Sequence, residues 1–167
     1  MAKTSLILII TFLLAQTVYS TEIYGVPKII DGDTVHINTK KIRLEGIDAP
    51  EIKQQCKKPF LKISAIIGLE FNKNYSCGVI AKKKLTDKID NSKIKCISSS
   101  KDRYKRFLAT CFKDKINLNK WMVRNGNAVA YKRYSEDYVR DEAYAKENKL
   151  GVWEGSFIVP EKWRKLN

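Results

Sequence analysis

The sequence predicts an α+β domain: a partly open barrel of five short antiparallel strands, with one helix inserted between strands and two more after them. Three observations predict it. Apolar and polar residues alternate between Tyr24 and Ile47, as half-buried strands require. From Gly78 the period changes, and Ala81, Leu85 and Ile89 recur at every fourth position with lysines between them. From Asn117 onward, capping signals mark two further helices.

Residues 1–20 stand apart, with Lys3 in a basic start, an apolar run from Leu6 to Leu14, and Val18-Tyr19-Ser20 where a signal peptidase reads. Cleavage after Ser20 is expected, leaving 21–167 as one domain. The rival, an uncleaved anchor, needs ~20 apolar residues, more than this run supplies.

Strands are expected over Val26–Ile30, Thr34–Asn38 and Ile42–Ile47, with a corner at Asn38-Thr39-Lys40. Val35 and Ile37 alternate with polar neighbours, as do Ile42 and Leu44. Residues 52–77 resist assignment, because Lys53 to Lys58 is polar and Leu61 to Leu69 is apolar without a period. A structureless loop of that length is unusual, so local structure or a covalent tie such as Cys56 to Cys77 is expected there.

Lys93–Ile97 and Phe107–Phe112 read as a hairpin that brings Cys96 and Cys111 together across the ladder. Asn117 can cap a helix carrying Leu118, Trp121 and Met122, ended by Asn125-Gly126. A short strand at Ala128–Tyr131 follows, and Ser135 can cap a final helix with Glu136 and Asp137 in its first turn. Trp153, Phe157 and Trp163 are expected to pin the tail to the body. Five short antiparallel strands are enough for a barrel of the oligonucleotide-binding (OB) type.

Lys and Arg number 32 against 18 acidic residues, a net charge of +14. Lys3 is the sole charged residue of the leader, so the excess stays with the domain and attracts polyanions. The four cysteines of an exported chain read as disulfides before metal ligands, with three pairings possible in principle. A structural zinc site would need four scattered thiolates, since no Cys-x-x-Cys occurs and His36 is the one histidine. That solitary histidine also excludes zincins and Ser-His-Asp hydrolases.

Carboxylates are densest at Asp31-Gly32-Asp33-Thr34 and Asp48-Ala49-Pro50-Glu51, with Arg43 on the strand between. Taken alone, the first is a solvated turn and the second a strand terminator. Together they can supply the several oxygen ligands that a hard divalent cation needs. A second cluster, Asp102-Arg103-Tyr104-Lys105-Arg106, sits at the hairpin tip, where basic groups beside an aromatic ring suit a phosphate and a stacked base.

In order along the chain, Ile30-Asp31-Gly32-Asp33-Thr34, Ile42-Arg43-Leu44 with Gly46-Ile47-Asp48-Ala49-Pro50-Glu51, Asp102-Arg103-Tyr104 with Arg106, and Val123-Arg124-Asn125-Gly126 resemble the staphylococcal-nuclease (thermonuclease) family. The cysteines, Gly151-Val152-Trp153 and Pro160-Glu161-Lys162-Trp163-Arg164 resemble its exported bacterial branch, which often carries two disulfides, here Cys56 with Cys77 and Cys96 with Cys111. The resemblance implies a five-stranded SNase-like OB barrel with three helices and one Ca²⁺ held by Asp33, Asp48 and the backbone carbonyl of Ala49, with Asp31 in support. It further implies that Glu51 is the general base or water-orienting group, and that Arg43 and Arg106 bind the attacked phosphate. Arg103 and Tyr104 look like phosphate contacts, and Tyr131 like a wall for the base, with Tyr134 ranked behind it. The implied activity is endo- and exonucleolytic hydrolysis of DNA and RNA at the bond to the 5′ oxygen, leaving a 3′-phosphate.

The resemblance implies no stable protein partner and a monomer, working in the periplasm or outside the cell. A glycine commonly precedes the second arginine in this family; Lys105 stands there, and a different turn is the expected accommodation. Two other functions compete. A nucleic-acid-binding OB module without catalysis fits the fold, although such proteins usually lose the carboxylates kept here. A cationic protein acting on anionic membranes fits the charge and leaves the carboxylates unexplained.

Overall fold

Alternating side chains build the first sheet. The computed structural model describes residues 20–63 and 69–167. The leader expected over 1–20 therefore lies outside the described residues, apart from Ser20. β1 (Thr21–Gly25), β2 (Lys28–Ile29), β3 (Thr34–Ile37) and β4 (Lys40–Leu44) come first. The last three form the antiparallel meander read from the sequence. Val35, Ile37, Ile42 and Leu44 are buried, as their alternation requires.

β5 (Ile47–Asp48) is followed by β6 (Cys56–Ile63) and β7 (Leu69–Tyr75), which pair as an antiparallel ribbon. The unassigned segment is thus a hairpin closed at its root by the Cys56–Cys77 disulfide. α1 (Cys77–Ile89) then buries Ala81, Leu85 and Ile89, the stripe that defined it. Asp90 ends it in the left-handed region at φ 49°, its N–H donating to the Thr86 carbonyl.

β8 (Ile94–Lys101) and β9 (Phe107–Lys113) form the expected hairpin, with Cys96 directly opposite Cys111 and bonded to it. β9 also pairs with β4, and here the expectation of purely antiparallel strands is corrected: the two run parallel, Ile42 beside Phe107. Parallel neighbours need a long crossover, which the ribbon, α1 and β8 provide. With β10 (Ile116–Asn117) beside β9, the strands make one curled seven-stranded sheet, an OB-like half-barrel.

α2 (Leu118–Arg124) is capped by Asn117, whose side chain accepts from the Lys120 N–H at 2.9 Å. Asn119, fully buried, accepts from the Cys111 N–H and donates to the Glu45 and Ala109 carbonyls, clipping α2 to the sheet. Gly126 ends the turn at φ 66°, and a Cβ there would overlap the Leu150 carbonyl. β11 (Val129–Ala130) pairs with β5.

α3 (Val139–Glu147) starts four residues after the expected cap. Ser135 instead accepts from the Asp137 N–H in the preceding turn, so Asp141 and Glu142, not Glu136 and Asp137, occupy the first helical turn. A 3-10 helix (Gly151–Glu154) and α4 (Pro160–Leu166) complete the chain, giving four α-helices among the described residues rather than three.

One core lies between the sheet, α1 and α2. A smaller cluster packs Trp153, Phe157 and Tyr75 around the Cys56–Cys77 bridge and Val152. Trp153 and Phe157 thus pin the tail as expected; among the described residues, Trp163 joins neither cluster.

Candidate active site

Asp33 lies just before β3, Arg43 on β4 and Asp48 on β5, so the ends of three strands converge. Thr34 pairs with Arg43 across the ladder, and the Leu44 N–H donates to the Asp33 carbonyl at 2.8 Å. The two acidic segments are also joined directly, because the Ala49 N–H donates to Asp33 Oδ2 at 2.9 Å. Between the carboxylates sits Arg43, donating from Nη1 to Asp33 Oδ1 at 2.6 Å and from Nη2 to Asp48 Oδ1 at 3.0 Å. Asp31 stays outside this pair and accepts the Asp33 N–H at 2.9 Å.

The electrostatics follow from burial. Burial raises the Asp48 pKa despite the guanidinium groups beside it. Burial, then the neighbouring Asp33, pushes Asp31 up to about 6. Burial disfavours the charge of Arg43, yet Asp33 and Asp48 outweigh it and hold the group protonated.

Glu51 is more open, its side chain 34% exposed. The loop beneath it is tightly specified. Its N–H donates to Gln54 Oε1, the Gln54 N–H returns to the Glu51 carbonyl, and Gln54 Nε2 donates to the Ile158 carbonyl at 2.6 Å. The start of α1 presses on the same loop: a Cβ on Gly78 would overlap the Glu51 carbonyl oxygen. We expect Gly78→Ala to lower stability by about 1–3 kcal/mol through this backbone clash and to reduce activity with it. Thermal melting and a cleavage assay check this; an unchanged melting temperature would contradict it.

At the tip between β8 and β9 the turn departs from expectation. Lys105 adopts φ 63°, so the left-handed turn is kept and lysine bears it, at a cost of roughly 1–2 kcal/mol. Asp102 holds that turn. Its Oδ1 accepts from the Tyr104 and Arg106 N–H groups, and its Oδ2 from Arg106 Nε at 2.8 Å. Burial works against the Asp102 charge, but these donors outweigh it and hold the carboxyl below its ordinary range. Arg106 is thereby aimed by Asp102 and stands immediately before Phe107, the partner of Ile42 next to Arg43.

Tyr104 is exposed between two guanidinium groups, 5.0 Å from that of Arg103 and 5.6 Å from that of Arg106. Tyr131 lies nearer the carboxylates, its ring 6.0 Å from the Arg43 guanidinium and edge-on to Tyr134 at 4.7 Å. Its backbone N–H donates to the Gly46 carbonyl. Arg43, Asp33, Asp48, Ala49 and Tyr131 are therefore one cluster; Arg103, Tyr104 and Arg106 form a second on the adjoining hairpin.

The sequence does not tie Arg164 to this site; it stands only within the closing motif Pro160-Glu161-Lys162-Trp163-Arg164. It donates to both Asp48 oxygens, at 2.9 and 3.0 Å, and to Glu51 Oε1 at 2.8 Å. Burial disfavours its charge, but the bonds to Asp48 and Glu51 raise its pKa above the ordinary arginine value. A sequence separation of 116 residues from Asp48 hides the pairing from any local pattern. Among the described residues, no three His, Cys, Asp or Glu side chains gather as a metal cluster; carboxylates alternate with guanidinium groups instead.

An OB-like half-barrel thus gathers acids and guanidinium groups at its strand ends on a strongly basic chain, an arrangement suited to the hydrolysis of phosphodiester bonds. The profile of the family described as staphylococcal nuclease homologue matches residues 41–155, and the chain belongs to that family. It is 35% identical to a protein of Haemophilus influenzae named as an endonuclease, over 97% of this chain and 83% of that one. It is also similar to an Escherichia coli O157:H7 protein named as an endonuclease, 28% identical over 91% of each chain. A Rhizobium meliloti protein named succinoglycan biosynthesis protein ExoI is 32% identical over 78% of this chain and 64% of that one.

Proposed function

We propose that the protein is a Ca²⁺-dependent nuclease acting on DNA and RNA, with Asp33, Asp48 and the Ala49 carbonyl as cation ligands. The observation that carries this reading is the meeting of Asp33 and Asp48 around one guanidinium, the Asp48 side chain being 1% exposed. The donors are all oxygens, and the Ala49 N–H bond to Asp33 keeps the two acidic segments together, the chemistry a hard divalent cation prefers.

When bound, the cation supplies Lewis-acid stabilisation of a phosphoryl oxygen. Glu51, open to solvent, accepts the proton of an attacking water. Arg43 and Arg106 stabilise the charge that builds on phosphorus; Arg106 is assigned no proton transfer, since a guanidinium holds its protons too firmly to act as an acid near neutrality. Tyr104 and Tyr131 offer aromatic faces to bases, and Arg103 a phosphate contact. Cleavage then breaks the bond to the 5′ oxygen, which takes its proton from solvent water and leaves as a 5′-hydroxyl, and the other product ends in a 3′-phosphate.

Export to the periplasm or beyond, after removal of residues 1–20, belongs to the same proposal, and two disulfides suit an oxidising compartment.

Single-stranded DNA incubated with the mature protein is expected to be cut in Ca²⁺ and left intact in chelator, with 3′-phosphate ends by mass spectrometry. Cleavage indifferent to chelator would refute the cation reading, and 3′-hydroxyl ends would refute the bond assignment.

A further inference from the structure

We infer that Arg164 is a tethered counter-ion that occupies Asp48 and Glu51 until a divalent cation displaces it, so that cation binding releases α4 from the active site. The inference rests on the cation site proposed above.

The geometry begins with the guanidinium fork. Nη1 and Nη2 of Arg164 each take one oxygen of Asp48, and Nη1 also reaches Glu51 Oε1. This bidentate, charge-assisted arrangement matches a carboxylate in both shape and charge. Asp48 also accepts from Arg43, so both its oxygens are committed to guanidinium groups. A hard cation needs the same oxygens. It would also bring positive charge up against Arg164 in a space where Asp48 is shielded from water, and repulsion there is stronger than in bulk solvent. Arg43 is the more enclosed of the two, its side chain 14% exposed and bound to Asp33 as well as Asp48, against 33% for Arg164. The group able to withdraw is therefore Arg164.

The element carrying it is held lightly. α4 has seven residues, and among the described residues Pro160 is its one buried side chain. Its Glu161 pairs with Arg133 at 3.5 Å and with Lys165 at 3.2 Å, both at the surface. A cavity of about 270 Å³, lined by Val159 and Glu161 together with Asp48, Tyr131 and Trp153, opens beside the buried Pro160. The firm attachment is upstream, where buried Gln54 donates to the Ile158 carbonyl. Residues 161–166 can swing about the buried Pro160 without disturbing the loop that carries Glu51. Arg164 thus neutralises two carboxylates in the cation-free protein and frees Glu51 for water in the loaded one.

Ca²⁺ titrations of the mature wild type, Arg164→Gln and Arg164→Lys by calorimetry, without nucleic acid, test the competition. Arg164→Gln is expected to bind Ca²⁺ about tenfold more tightly than wild type, within the usual range of coupling between linked equilibria. Arg164→Lys, which keeps the charge and loses the fork, should fall between. Hydrogen exchange across 160–166 of the wild type should accelerate on adding Ca²⁺, a readout that needs no variant to fold. Equal or weaker affinity in Arg164→Gln, or exchange unmoved by bound Ca²⁺, would overturn the inference alone. Absence of Ca²⁺ binding in wild type and variants would overturn it together with the cation site.

Discussion

Replacing Glu51 with glutamine lowers the rate of nucleic-acid cleavage by roughly 10²–10⁴-fold, the usual contribution of a positioned general base. Glutamine preserves the volume and keeps an oxygen for the Arg164 bond, so the loop built on Gln54 and Gly78 is left intact. Affinity for single-stranded DNA should therefore stay near the wild-type value while turnover collapses. Steady-state cleavage beside equilibrium binding to the same oligonucleotide measures the separation. A loss of less than about tenfold in rate would remove Glu51 from proton transfer. Loss of binding and turnover together would show that the substitution had disturbed the site as a whole.

Removing the Cys96–Cys111 bridge as a double alanine variant destabilises the fold by about 3 kcal/mol, since a closed loop of this size restricts the unfolded chain by that amount. The sequence separation is 15, and both cysteines are fully buried at facing positions of the sheet. For a chain of this size the melting temperature is expected to fall by roughly 6–12 °C. Calorimetry or thermal denaturation followed by circular dichroism reads it. A fall below about 2 °C would mean that the strand pairing alone already orders this region.

Local chemistry made much of the molecule legible. The four-residue spacing of Ala81, Leu85 and Ile89 gave α1, and alternation about Val35 and Ile42 gave the meander. Asn117 capped the helix it was expected to cap. What escaped was decided by distant partners. The ribbon over 56–75 shows no clean period because its order comes from cross-strand pairing and a covalent root, neither written into neighbouring residues. Ser135 resembles a cap in isolation, but its hydroxyl serves a preceding turn.

Of the residues the motifs single out, Asp33, Arg43 and Asp48 meet at strand ends, and Glu51 follows in the loop after β5. Arg164 could not be found that way. It lies in a short helix with basic neighbours on both sides, and only folding selects it from among them. Lys105 is the opposite case: the strain expected of a lysine at positive φ is tolerated, because the Asp102 carboxylate fixes the turn by accepting from the Tyr104 N–H and from the N–H, Nε and Nη2 of Arg106.

The covalent root of the ribbon carries an evolutionary consequence. With the Cα atoms of Cys56 and Cys77 pinned 5.7 Å apart, whatever chain runs between them begins and ends at the same place. Loop entropy rises only slowly with length, so this excursion is free to grow, shrink or change its character across lineages at little thermodynamic penalty. Glu51, five residues upstream, and the helix immediately downstream would not register the difference. Change in the ribbon is thereby decoupled from the geometry of the strand ends.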